Sequence, residues 1–151
     1  MIEQFAAAHK LPVALVKAVV EVESDGNPWA SRYESKFYRL YVENARIKAV
    51  SPCSIDTEMR LRATSFGLMQ VMGQTARELG FEGPFLTALC DPETGMEYGC
   101  RYLAKQVGRY RDRGLDWAVA AYNAGTARKN LDGRFANQSH VDKIRAAGGF
   151  E

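Results

Sequence analysis

Leu11 to Ser24 reads LPVALVKAVVEVES, and the fold turns on how this stretch is read. Pro12 suits the first helical position, and Val13, Val16, Val19 and Val20 recur on one helical face, giving an apolar stripe that must be buried. Gly26, Asn27 and Pro28 then end the helix. Lys17 and Glu21 interrupt the run, which is in any case shorter than the roughly 18–20 apolar residues of a membrane span. Glu23 breaks the pattern: it lies three positions after Val20 and four after Val19, so it extends the apolar stripe rather than the solvent face. Burial disfavours an ionised carboxylate and raises its pKa, as a general acid working near neutral pH requires. The plainer reading is a helix-terminal carboxylate turned to water or paired with an arginine, as Glu21 is expected to be solvated.

Outward from this helix, helical signals dominate. Glu34 to Val50 is expected as a second helix ended by Pro52, with Phe37, Tyr38 and Tyr41 at helical spacing as core residues. Ser51 to Ser65 reads as a connector with a short helix around Glu58 to Arg62. Thr75 caps or opens a short helix ending at Gly80, and Gly83 and Pro84 mark a turn. Asp91 and Pro92 start a long helix whose core-facing side chains are Met96, Tyr98, Tyr102, Leu103 and Val107, and Gly114 breaks it. Asp116 is placed to cap Trp117–Gly125, WAVAAYNAG, where Ala118, Ala120, Ala121 and Ala124 allow close packing and Gly125 is a left-handed terminator. A further helix is expected over Ser139 to Ala147. There is no strand pair with a two-residue turn and no repeat, and Val and Ile are scattered, so a small hairpin in the connector is the one place left for strands. The expected fold is mostly α, in one domain spanning residues 1–151.

Composition agrees with a globular chain: 151 residues, 46% hydrophobic and 25% charged. Lys and Arg number 20 against 18 Asp and Glu, a net charge of +2, too balanced to imply a nucleic-acid partner or an anionic membrane. Met1 to Lys10 carries Glu3 before any cation and lacks a secretory pattern, so delivery outside the cytoplasm is expected to rely on something else. Helices without an exposed apolar seam favour a monomer. Cys53, Cys90 and Cys100 are sparse. A helix from Asp91 past Cys100 would separate Cys90 and Cys100 by roughly 14 Å, beyond disulfide reach, whereas Cys53 is free to meet either, and buried free thiols are the simpler expectation. His9 and His140 lie far apart and no Cys-x-x-Cys pair occurs, so neither a metal nor a cofactor is expected.

Three stretches carry a resemblance. Glu23-Ser24-Asp25-Gly26-Asn27-Pro28-Trp29-Ala30 resembles the ES-x-x-NP-x-A start of the goose-type-lysozyme-like soluble lytic transglycosylases. Ser65-Phe66-Gly67-Leu68-Met69-Gln70-Val71-Met72, followed by Thr75-Ala76, is similar to the family's second motif, and Ala120-Ala121-Tyr122-Asn123-Ala124-Gly125 to its third, AAYNAG. The three occur in the family's order between Leu11 and about Lys129. The resemblance implies a lysozyme-like α fold acting on peptidoglycan glycan strands, cleaving the β-1,4 bond between N-acetylmuramic acid and N-acetylglucosamine. It gives Glu23 the role of acid and then base, the muramyl 6-hydroxyl closing onto C1 to leave a 1,6-anhydro end. A lone carboxyl suffices where the substrate supplies its own nucleophile.

The resemblance also implies that Gln70 and the backbone around Met69 line sugar subsites, that Tyr122 sits close to Glu23, and that Asn123 supports the same wall. Without it, Tyr122 is a core tyrosine, Met69 a core filler and Gln70 a helix cap. The chain departs from the family pattern in one place: the GLMQ motif lies much further after Glu23 than in typical members. An inserted helical segment over residues 34–64 accounts for the difference, and it would serve as a lid, an added subsite or a partner contact. The insertion blurs the match to the serine that the family places shortly after its NP pair. Ser31 falls one residue short and Ser65 lies beyond the insertion, which leaves Ser65 as a substrate-binding candidate. Glu34, at the start of the insertion, is either a helix N-terminal carboxylate favoured by the dipole or a second carboxylate activating water. The second case makes the enzyme a hydrolytic muramidase, and a non-catalytic glycan-binding domain is the reading from outside enzymes. The short chain with its insertion resembles phage-encoded or injected versions, delivered to the cell wall by a virion, a holin, a secretion machine or a larger parent chain.

Overall fold

In the computed structural model, which describes residues 1–48 and 52–151, helix follows helix with one small sheet between them. In chain order the elements are α1 (Ile2–Ala8), α2 (Val13–Ser24), β1 (Ser31–Tyr33) and α3 (Ser35–Phe37), which continues into a π-helical turn (Tyr38–Val42). They continue with α4 (Ile55–Arg62), β2 (Thr64–Phe66), β3 (Val71–Met72), α5 (Gly73–Glu78), a 3-10 turn (Leu86–Cys90), α6 (Pro92–Arg109), α7 (Leu115–Ala124) and α8 (Gln138–Ala146). The fold is mostly α. Two units divide it, one of Met1–Asp25 with Cys100–Glu151 and one of Gly26–Gly99.

In the first unit α2 packs against α1 and α8, and α7 against α8. The apolar stripe of α2 is buried through Leu15, Val16, Ala18, Val19 and Val20. Pro12 stands one residue outside the helix as its N-cap, with ψ 131°, and not at the first helical position, because its extended backbone turns the chain in from Leu11. The small residues of α7 do what their size allows: Ala118, Ala120 and Ala121 are fully buried. Its N-cap is Gly114, at φ 102°, rather than Asp116, whose Oδ1 instead accepts from the Trp117 N–H at 2.9 Å inside the first turn. Gly149 fastens the end of α8, since a Cβ there would lie 2.9 Å from the Ala18 Cβ and 2.6 Å from Ile144.

The second unit is built on a three-stranded antiparallel sheet in the order β1-β2-β3. Sequence reading did not find this sheet, because its strands are two or three residues long and β1 pairs with β2 across a long stretch of chain, with Tyr33 opposite Thr64. The Glu34 N–H donates to the Ala63 carbonyl at 2.8 Å, so residues 34–63 leave and return side by side. Once the base of such a loop is closed, each doubling of its length costs only about 0.6 kcal/mol.

The long helix expected over Glu34–Val50 is not formed. Regular helix ends at Phe37, the backbone widens so that the Glu43 N–H reaches back to the Tyr38 carbonyl at 2.9 Å, and the helical run stops at Val42. Asn44, a weak helix former, follows in a turn, and Ala49 and Val50 lie outside the described residues. Nor are the aromatics core residues. Val42 takes the buried position, while Phe37 and Tyr38 are half-buried and Tyr41 is 63% exposed. Tyr38 is instead covered by the Arg60 guanidinium, 4.5 Å from its ring centroid.

Candidate active site

The end of α2 sets the position of Glu23. Ser24 Oγ donates back to the Val20 carbonyl at 3.1 Å, and Asp25 then adopts the left-handed conformation at φ 53°, followed by Gly26 at φ 74°. Two successive left-handed residues turn the chain away immediately after the helix, so the carboxyl sits at its last turn beside the apolar stripe. Its side chain is 16% exposed, and His140 of α8, 12% exposed, places Nε2 3.7 Å from Oε1. That is just beyond hydrogen-bond distance, and the buried Nε2 has no hydrogen-bond partner. Burial, and then the charge of Lys143, hold the imidazole below its ordinary pKa. It is therefore neutral near pH 7, and the contact is not an ion pair.

Tyr122 of α7 is buried, its ring 5.0 Å from that of Tyr102 of α6. Burial first, then the nearby charge of Glu23, followed by Tyr102 and Cys100, push its phenol well above the ordinary range. Tyr122 thus stays a neutral hydroxyl whose electrostatic surroundings include Glu23. Asn123 follows at the exposed end of α7, where its Oδ1 accepts from Asn137 Nδ2 at 2.9 Å; the same amide donates to the Ala120 carbonyl at 3.0 Å. Asn137 in this way ties the start of α8 to the end of α7.

The second unit holds Ser65, Met69, Gln70 and Glu34. Gln70, at φ 48°, fastens two motifs together: Nε2 donates to the Ala30 and Gly67 carbonyls, each at 3.0 Å, and Oε1 accepts from Ser65 Oγ at 3.0 Å. Ala30, the last residue of the first motif, also accepts from the Gly67 N–H at 2.8 Å. Met69 is fully buried, packed so tightly on Gly99 that a Cβ at that glycine would stand 2.5 Å from the sulfur. Whatever Met69 offers a ligand comes from its backbone. The Glu34 carboxylate, at the N-cap of α3, accepts from the Arg32 guanidinium.

Sequence reasoning missed three polar residues. Asn137 and His140 share a helical face with the buried Val141 and Ile144, at offsets of three, four and seven residues from Asn137, a signal that periodicity carries once α8 is placed. Glu58 is fully buried and paired with Arg62 and Arg77, each through a 2.8 Å contact. Burial alone would raise its carboxyl, but the hydrogen bonds and charges of Arg77 and Arg62 bring it below the ordinary range. Cys53 and Cys100 are buried free thiols and Cys90 is half-buried and free.

Among the described residues no helix is long and apolar enough to cross a membrane, and no group of three or more His, Cys, Asp or Glu side chains is placed to hold a metal ion. No solved structure matches the chain. A family model described as "Transglycosylase SLT domain" matches residues 1–144. With nearly its whole length matched, this chain belongs to the SLT transglycosylase family, whose members act on peptidoglycan.

Proposed function

We propose that this protein is a lytic transglycosylase that cleaves the β-1,4 bond between N-acetylmuramic acid and N-acetylglucosamine and leaves a 1,6-anhydromuramyl end, with Glu23 as its acid and then its base. The observation that carries this reading is the setting of Glu23: a carboxyl largely withdrawn from water at the end of an apolar helix, with a neutral imidazole as its neighbour. Such a group can hold a proton near neutral pH and give it up to a leaving oxygen. In the first step the Glu23 proton goes to the glycosidic oxygen as the C1–O bond breaks. In the second the Glu23 carboxylate takes the proton of the muramyl 6-hydroxyl as that oxygen bonds to C1. The enzyme is restored and no water is consumed.

Tyr122, buried and neutral beside this charge, is assigned to the binding of substrate next to the reacting bond, with Asn123 supporting it. In the second unit Ser65, Gln70 and the backbone at Met69 are assigned to sugar binding, the Gln70 side chain acting through the loop it fastens. The engagement of Glu34 by Arg32 supports the helix-terminal role for that carboxylate. The protein acts as a single domain and a monomer on the cell wall.

Mass spectrometry of the muropeptides released from purified peptidoglycan tests the proposal. Products one water lighter than those of a hydrolytic muramidase, absent with Glu23→Gln, are the expected result. Hydrated reducing ends would reassign the protein as a muramidase and turn attention to Glu34→Gln. Binding to glycan without release would make it a recognition domain.

A further inference from the structure

His140 is held more firmly than a chance neighbour. At the start of its helix Asn137 grips the Ala120 carbonyl and Asn123, and toward the other end Ile144 and Gly149 are wedged against α2. Between these anchors the His140 side chain is 12% exposed and its Nε2 is buried without a hydrogen bond. A buried ring nitrogen left in that state is unfavourable. The nearest acid is Glu23, whose Oε1 is 3.7 Å away, a few tenths of an ångström from bonding distance.

Charged and titratable groups stand around the pair. α2 contributes Glu23 and α8 itself contributes Lys143, while Asp142 and Arg145 on α8 pair with each other at 3.2 Å. α7 contributes Tyr122, with Tyr102 and Cys100 of α6 beside it. Of these groups Glu23 is the carboxyl that faces Nε2, at 3.7 Å.

We propose that His140 is a positioning residue for Glu23: as a neutral ring it accepts the hydrogen of the protonated carboxyl, and once it has taken up a proton of its own it can no longer accept, which closes the acid side of the enzyme's working range. The proposal rests on the reading of Glu23 as the acid. In the neutral state the tautomer protonated at Nδ1 leaves Nε2 as the acceptor, which orients the Glu23 hydroxyl and favours the form that can donate. When the ring takes up a proton of its own in acid, Nε2 becomes a donor and the carboxyl, which keeps its proton, loses its acceptor. The Glu23 hydroxyl is then no longer oriented, and turnover falls.

The test compares the wild-type protein with His140→Gln and His140→Leu, following kcat, KM and the pH profile of muropeptide release, with thermal unfolding as the check on folding. Removing the acceptor in His140→Leu lowers kcat about tenfold near neutral pH and leaves KM within about twofold. His140→Gln keeps a side chain that hydrogen-bonds but cannot titrate, so it recovers most of kcat while its acid limb moves by a pH unit or more. Unchanged acid limbs in both folded variants overturn the proposal. NMR titration of the His140 ring in the wild type and in Glu23→Gln supplies a readout independent of turnover. A titration midpoint displaced by the Glu23 substitution supports the coupling, and an unmoved one overturns it. If Glu23→Gln keeps full activity, the assignment of Glu23 as the acid has failed, and the ring titration still decides whether the two groups are coupled.

Discussion

Two carboxylates have left water in this molecule, and they have been treated in opposite ways. Glu58, in the second unit, is completely buried, with Arg62 and Arg77 both bonded to it and Arg77 further bound to the Phe81 and Gly83 carbonyls at 2.8 and 2.7 Å. Glu23, in the first, keeps a sixth of its side chain exposed and has as its neighbour a neutral ring that is not within bonding distance. The first arrangement fixes a charge, since two guanidinium groups make protonation unfavourable. The second sets a carboxyl against a neutral imidazole, as the proposed acid-base role requires. A carboxylate that builds structure is held by cations on two helices, whereas the one proposed for acid-base chemistry stands beside a neutral ring.

The sharpest way to break this comparison is Glu23→Gln, which should reduce glycan cleavage by about 10²–10⁴-fold while the unfolding midpoint stays near that of the wild type; muropeptide release and calorimetry measure the two sides. Glu58→Gln should do the reverse. Leaving two half-buried guanidinium groups without their anion should cost about 3 kcal/mol in denaturant titrations, with specific activity retained by whatever fraction remains folded. Equal losses of activity and stability in both variants would erase the distinction.

The motif glycines sharpen it. Gly67 has φ 75° and a Cβ there would lie 2.3 Å from the Leu89 carbonyl oxygen, so Gly67→Ala should destabilise by about 3 kcal/mol as strain and backbone displacement add. Gly26 has nearly the same φ, 74°, but open space around it, and Gly26→Ala should cost about 1 kcal/mol from the left-handed backbone alone. Denaturant midpoints of the two variants give the comparison directly.

The smallest effect is a slope. Glu58 has a lowered pKa when folded, so its contribution is present above the ordinary carboxyl range and is lost as the pH falls through the folded value. His140 is also lowered, from 6.5, so below about 6.5 the unfolded chain binds a proton that the folded one resists, and stability again declines toward acid. Stability measured from pH 7 downward should therefore fall in two stages, the upper one removed by His140→Gln and the lower one by Glu58→Gln.

Much of the first unit was legible in the sequence because α2, α7 and α8 announce themselves through periodicity and terminators at Gly26, Gly114 and Gly125. Glu23 was legible for the same reason, as a charge on an apolar face. The second unit was much less so. Its sheet depends on pairing Ser31–Tyr33 with Thr64–Phe66, which no local pattern encodes, and α4, IDTEMRLR, reads as a surface helix although Glu58 within it is the most deeply buried charge described. The i, i+4 spacing to Arg62 was visible, but Arg77 lies on a different helix. His140 was counted only against a zinc site, and its place on the apolar face of α8 went unread.

The clamp at the foot of residues 34–63 has a consequence for how this chain can be remodelled. Because Tyr33 and Thr64 are held as neighbours whatever lies between them, the site behaves as a port into which sequence can be spliced without disturbing the sheet below. The port is keyed, however. Arg77 stands outside the excursion while its partner Glu58 comes from within it, so any replacement segment must bring an anion to the same place or leave a buried cation stranded.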